Sequence, residues 1–127
     1  MKTLIVISVI ASALIFSCGT IVKDEVQEFI PGTYVRQSEG EFGTSYDTLV
    51  IAMQNETARE YKIERRWKYD RVVDEKVLEP EYKITNATGI YDADKKLLQE
   101  TQSLNIYTFD VKNKFLNKGT NQFTKIE

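Results

Sequence analysis

One stretch of this chain sets cationic and aromatic side chains at strand spacing: YKIERRWKY, residues 61–69. Alternation puts Tyr61, Ile63, Arg65, Trp67 and Tyr69 on one face, and Lys62, Glu64, Arg66 and Lys68 on the other. Arg65 is then a guanidinium on an otherwise apolar face, where a charge must find a partner. Trp67 and Tyr69 offer ring faces, and cation–π contact contributes about 0.5–2 kcal/mol. Two roles are open to Arg65: a structural one inside the fold, and a functional one clamping an anionic ligand at a cavity mouth. A second stretch, NIYTFDV at 105–111, sends Tyr107, Phe109 and Val111 one way and Thr108 and Asp110 the other. Arg65, Trp67, Tyr69, Tyr107 and Phe109 are therefore the candidate ligand- or partner-binding residues. Lys62, Arg66, Lys68 and Arg71 form a local basic stripe interleaved with Glu64 and Asp70, which reads as a solvated face.

The chain holds one Cys and no His. An internal disulfide needs two cysteines, and a metal site of thiolates or imidazoles has no ligand set. General acid–base chemistry would fall to carboxylates, Lys or Tyr. Carboxylates are plentiful, at Glu39, Glu41, Asp47, Glu64, Asp92 and Asp94 among others. A glycosidase-like pair is defined by its separation across a cleft, which spacing along the chain does not specify. The expectation is a protein without catalytic residues, metal or cofactor, with a carboxylate-dependent hydrolase as the weaker alternative.

The single thiol, Cys18, ends an apolar run. Lys2 is the only charge before Lys23, and residues 4–16 are apolar but for Ser8 and Ser12. A helix of that length covers about 20 Å, short of a hydrocarbon core of about 30 Å. A basic start, a short apolar segment and small residues near its end describe an export signal. The run closes Ile15-Phe16-Ser17-Cys18-Gly19, which resembles the lipobox of bacterial lipoproteins, with Phe16 standing where the strictest form has a smaller residue. That resemblance implies cleavage between Ser17 and Cys18, diacylglycerol on the sulfur and a further acyl chain on the new amino group. Each buried methylene contributes about 0.8 kcal/mol, so two or three chains hold a protein durably where one does not.

The expected organisation is a signal peptide at 1–17, a tether at 18–30 and one domain at 31–127. Removing residues 1–17 takes only Lys2 from 17 cations and none of 19 acids, leaving 110 residues with a net charge near −3. That balance gives no basic face for nucleic acid.

From Pro31 onward the periodicity is two. Strands are predicted at about 32–37, 46–54, 59–72, 77–91, 96–101, 104–111, 114–118 and 121–126. DTLVIAM, apolar on both faces, predicts a central or doubly covered strand at 47–53. In KITNATGIY, Ile84 and Ile90 fall in phase. Asn55-Glu56-Thr57, Asp74-Glu75-Lys76, Asp92-Ala93-Asp94-Lys95, Lys112-Asn113-Lys114 and Asn117-Lys118-Gly119 read as turns. Pro80 cannot donate to a ladder and belongs at an edge or bulge. Short connections make sequence neighbours antiparallel, and a meander of about eight strands must close or fold over to protect its edges. The expected fold is all-β: a small up-and-down, lipocalin-like barrel, closed or half-open, with a β-sandwich as runner-up.

Gly32-Thr33-Tyr34 is similar to the Gly-x-Trp that begins lipocalin-type barrels, with Tyr in place of Trp. In that group an Arg stacks on the first-strand aromatic, so the resemblance implies Tyr34 as a neighbour for Arg65. Across the whole domain, the order Ile30-Pro31-Gly32-Thr33-Tyr34-Val35, Asp47-Thr48-Leu49-Val50-Ile51, Tyr61-Lys62-Ile63, Tyr69-Asp70-Arg71-Val72-Val73-Asp74, Gly89-Ile90-Tyr91-Asp92 and Phe123-Thr124-Lys125-Ile126 resembles small lipoproteins of Bacteroidetes-type bacteria, some found among conjugative-transposon genes. The resemblance implies a lipid-anchored β-domain exported to the bacterial envelope, in the periplasm or at the outer membrane. Its expected partners are the membrane, through the lipid on Cys18, and envelope proteins. The alternative is a carrier enclosing a small apolar ligand, which would need an open interior lined by Trp67, Tyr69, Tyr107 and Phe109.

Overall fold

The computed structural model describes residues 24–127. The signal peptide, Cys18 and the first part of the tether lie outside the described residues. One short helix, α1 (Glu25–Phe29), precedes nine strands: β1 (Gly32–Gly40), β2 (Gly43–Asn55), β3 (Glu60–Val73), β4 (Lys76–Val77), β5 (Glu81–Asp92), β6 (Leu97–Glu100), β7 (Ile106–Asp110), β8 (Phe115–Lys118) and β9 (Asn121–Lys125). All pairings are antiparallel, in the order β2-β1-β9-β8-β7-β6-β5-β3-β4. A further pairing of β2 with β3 closes the sheet on itself. The result is an eight-stranded barrel with β4 added beside the end of β3. Closure removes most of the unpaired edge that an open meander would expose.

Turn chemistry punctuates the strands where the sequence predicts it. Asn55, Asp92 and Asp110 each accept hydrogen bonds from backbone N–H groups two or three residues on, at Ala58, at Asp94 and Lys95, and at Asn113. This local bonding offers the backbone a turn in place of a ladder. Gly119, at φ +60, closes the two-residue loop between β8 and β9. Three expectations change. The strand expected at 77–91 is two, because Pro80 interrupts the ladder and residues 78–80 join no strand. The first hairpin runs on to a tight turn at Glu41-Phe42, where a Cβ on Gly43 would sit 2.0 Å from the Asp70 carbonyl oxygen. β2 is central but covered on one side only: Asp47, Leu49 and Ile51 are buried while Tyr46 and Ala52, on the opposite face, are exposed.

Ile84 and Ile90 lie in phase on β5, as expected, and that shared face is the outer one; the inner face is Thr85, Ala87, Gly89 and Tyr91. Gly89 lies opposite Tyr61, and a Cβ there would come within 3.1 Å of both Ile63 and Leu98. The inside of the wall at this point has room only for small residues.

The interior is packed at one end. Leu49, Ile51, Ile63, Leu98, Leu116 and Phe123 are buried there with Tyr34, Tyr61, Tyr91 and Tyr107. Each of those large apolar side chains contributes about 1.5–3 kcal/mol by leaving water. Part of the expected tether belongs to this core: residues 24–30 fold onto the barrel as a plug. Asp24 caps α1, its Oδ1 accepting from the Val26 and Gln27 amides at 3.0 and 3.1 Å, and its Oδ2 accepts from the Tyr91 hydroxyl at 2.8 Å. The Tyr34 hydroxyl reaches the Phe29 and Ile30 carbonyls, Lys125 donates to Phe29 as well, and Ile30 is fully buried. One turn of helix shows no sustained periodicity in sequence; it is held by tertiary packing rather than by propensity.

The wall is uneven. β1, β2, β3 and β5 have 9, 13, 14 and 12 residues, while β6 to β9 have 4 or 5. At about 3.3 Å per residue, β3 is roughly 46 Å long and β6 roughly 13 Å. The long strands overhang the short ones at the end away from α1, and the barrel opens there into a trough.

Candidate functional site

The trough is built by the inward faces of β1, β2, β3 and β5. Register sets its rows: Arg36 opposite Asp47, Asp47 opposite Trp67, Ser45 opposite Tyr69, Arg65 opposite Thr85 and Trp67 opposite Lys83. Three of the five candidate residues thus come together, on alternate positions of one strand.

Arg65 is held by a carboxylate. Its Nε and Nη2 both donate to Asp47 Oδ1, at 2.9 and 2.8 Å, and Arg36 stands 4.0 Å from Asp47 Oδ2. Asp47 is 5% exposed, so this is a buried acid served by two cations, and Arg65 itself remains 41% exposed in its side chain. Tyr34 is not its neighbour. The cation near Tyr34 is Lys125, 5.8 Å from the ring centroid, because Tyr34 lies at the plugged end with the close of β9.

Trp67 and Tyr69 stack in parallel, centroids 5.6 Å apart at 10°, and the Trp67 indole N–H donates to Ser45 Oγ at 2.8 Å. That bond and the stack fix the indole in one orientation. On the side of Arg65, a cleft of about 330 Å³ is bounded by Arg65, Trp67, Lys83 and Thr85. It continues past Arg65 and Thr85 into a second cleft of about 280 Å³, which reaches Asn86, Glu100 and Tyr107.

Tyr107 forms the inner wall of that second cleft and is 1% exposed. Its hydroxyl donates to Glu100 Oε1, while Ser103 and Asn105 donate to Oε2. Burial pushes the Glu100 carboxyl up, but these donors and the nearby Lys118 charge outweigh it and hold the group below its ordinary value. Burial and then the Glu100 carboxylate drive the Tyr107 phenol well above its usual range. Phe109 is elsewhere: it packs against Phe29 and Tyr34 at the plugged end, with centroids 6.1 and 6.3 Å away. Of the four aromatic residues expected to line a carrier's interior, Trp67 and Tyr107 thus border different clefts and Phe109 packs at the opposite end.

The remaining members of the site, Lys83, Thr85, Asp47 and Ser45, come from strands far apart in sequence. Alternation puts Lys83 and Thr85 in phase on β5, but only the pairing of β3 with β5 sets Lys83 beside Trp67. The basic stripe is largely spent in local pairs, Arg66 with Glu64, Lys68 with Asp70 and Arg71 with Glu81, of the exposed kind that contributes about 0–1 kcal/mol each. Compared with protein-family models, with curated proteins and with solved structures, the chain finds no match in any of the three.

Proposed function

We propose that this chain is a lipid-anchored lipoprotein of the bacterial cell envelope, of the small Bacteroidetes-type group, whose barrel serves as a non-enzymatic interaction module. The observation that carries the reading is the polarity of the barrel. The N-terminal segment leaves from the plugged end, and the open trough with Arg65, Trp67 and Tyr69 lies at the other. Residues 19–23 separate Cys18 from Asp24, six steps along the chain and a reach of at most about 22 Å at roughly 3.6 Å per residue. Acyl chains on Cys18 would hold the plug near the headgroups and present the trough to the envelope's aqueous space.

Two competing readings fit less well. A carrier of apolar ligands wants an enclosed apolar cavity of about 300–1,000 Å³, whereas the first cleft is bounded by Arg65 and Lys83. A hydrolase wants two carboxyl groups facing across a groove. Asp47 is bound by arginines, Glu64 pairs with Arg66, and Asp92 caps its own turn.

The test is metabolic labelling with a fatty-acid probe in a lipoprotein-processing bacterial host. Wild type should take up label and lose residues 1–17, and Cys18→Ala should do neither. Equal labelling of both removes the anchor. A pull-down from the envelope then tests the interaction module.

A further inference from the structure

β5 carries a gap on one side. Its inner end, from Gly89 to Asp92, pairs with β6, and Glu81 to Ile90 pair with β3 on the other side. Beyond Thr88, whose carbonyl accepts from the Thr101 amide, no strand among the described residues pairs with β5 on the β6 side. The hydrogen-bonding phase follows from two bonds. Thr88 C=O points toward β6, and Tyr91 N–H points toward β3, donating to Arg59. Even-numbered residues therefore direct their backbone groups into the gap, which leaves the N–H and C=O of Tyr82, Ile84 and Asn86 unpaired by any strand among the described residues. A row of such groups is a template for another strand.

The surroundings specify what kind. Both clefts of the trough, and a third of about 220 Å³ at Asn86, Ala87 and Thr88, lie along this same stretch. On the outer face Tyr82 and Ile84 are 71% and 64% exposed. On the inner face Arg36 and Arg65 share one carboxylate, Asp47, and Lys83 stands with Arg65 at the first cleft; Glu81 is taken by Arg71, and Glu100 in the second cleft by Tyr107, Ser103 and Asn105. The free edge of β1 differs: its tip carries Glu39, with Glu41 in the adjoining turn, and neither lines any of these three clefts. An inward lysine also deters indiscriminate strand pairing. Lys83 does so by opposing apolar and basic strands, which leaves acidic ones acceptable.

We propose that the free edge of β5, at Tyr82, Ile84 and Asn86, takes up an extended peptide from an envelope protein, with carboxylate side chains at the alternate positions that enter the trough. The peptide would add a strand to the wall where β6 stops. Main-chain bonds would supply affinity, and the inner clefts would supply selectivity. This rests on the interaction reading above and names its surface and partner chemistry.

The experiment uses the full chain in detergent micelles and two capped decapeptides, one alternating glutamate with valine and one alternating lysine with valine. With the acidic peptide, amide exchange at Tyr82, Ile84 and Asn86 should slow about tenfold or more, while the Lys83 and Thr85 amides, already bonded to β3, stay unchanged. The lysine peptide should do nothing. Ile84→Pro removes an edge donor without touching the β3 ladder and should abolish binding. Lys83→Glu, which leaves the backbone intact should the proline variant misfold, should weaken the acidic peptide about tenfold. The proposal is overturned by unchanged exchange at the three amides, by undiminished binding to folded Ile84→Pro, or by undiminished binding to Lys83→Glu. It is equally overturned by edge protection in the chain alone that grows with its concentration, since a second copy would then be the occupant. An envelope partner captured equally by wild type and Ile84→Pro removes the edge and keeps the interaction module; no capture by wild type removes the module itself.

Discussion

Arg65 illustrates how one side chain can serve position and recognition together. Its guanidinium neutralises the buried Asp47 and at the same time walls the first cleft. Arg65→Ala would leave Asp47 with Arg36 at 4.0 Å. An under-satisfied buried acceptor costs about 1–3 kcal/mol, with the lower part of that range expected because Arg65 is substantially exposed. The melting temperature should fall by about 4–8 °C for each kcal/mol lost, as read by circular dichroism. Arg65→Lys should restore part of that loss, since it keeps the charge and gives up the two-nitrogen grip on one oxygen. An unchanged melt for Arg65→Ala would mean that Asp47 is served by Arg36 alone.

At the scale of elements, the turns carry their own strain. Asp74 and Glu75 join β3 to β4 with φ of +51 and +63, the paired left-handed geometry of a type I′ turn. A non-glycine residue held there costs roughly 1–2 kcal/mol, part of which the greater freedom of an unfolded glycine would offset. Glu75→Gly should therefore stabilise the chain by about 0.5–1 kcal/mol, measured as a shift in the urea midpoint with unchanged slope. Lower stability in this variant would show that the Glu75 side chain makes a contribution larger than the strain. The turns were legible in sequence because Asn, Asp and Gly act on their immediate neighbours. So was the alternation that put Arg65, Trp67 and Tyr69 on one face. The position of Phe109 at the plug, the inward direction of Gly89, and the pairing of Trp67 with Lys83 all depend on strands meeting across the barrel. The plug itself left almost no local trace, since its partners Tyr34, Tyr61 and Tyr91 come from three strands.

For the molecule as a whole, stability should have a plateau with two edges. Burial pushes the Asp24 carboxyl up, but the Tyr91 hydroxyl, the helix amides and the Lys96 charge outweigh it, so the group sits below its ordinary 3.8. Glu100 likewise sits below 4.5. The unfolded chain takes up those protons first, so stability is full above these values and is lost as pH falls through the lowered folded ones. On the alkaline side, burial raises the Tyr34, Tyr61, Tyr91 and Tyr107 phenols above 10.0. Their contribution is complete below that pH and drains away above it as the unfolded phenols ionise. Lys125, pulled down by burial and then by the Lys114 charge, acts in the opposite sense, one amine against four phenols. Denaturation midpoints should be flat through neutrality and drop both below about pH 4 and above about pH 10. A midpoint that holds beyond pH 11 would show the phenols to be open to water.

Asp24 has a mechanical consequence as well. Among the described residues, tension arriving from the N-terminal side meets this one first, and there a single carboxylate both starts the helix and clasps Tyr91. Behind it, β1 is zipped to β2 along nine residue pairs. A tug would peel away one turn of helix long before it could strip a strand, so the plug acts as a fuse that yields while the staves stay closed.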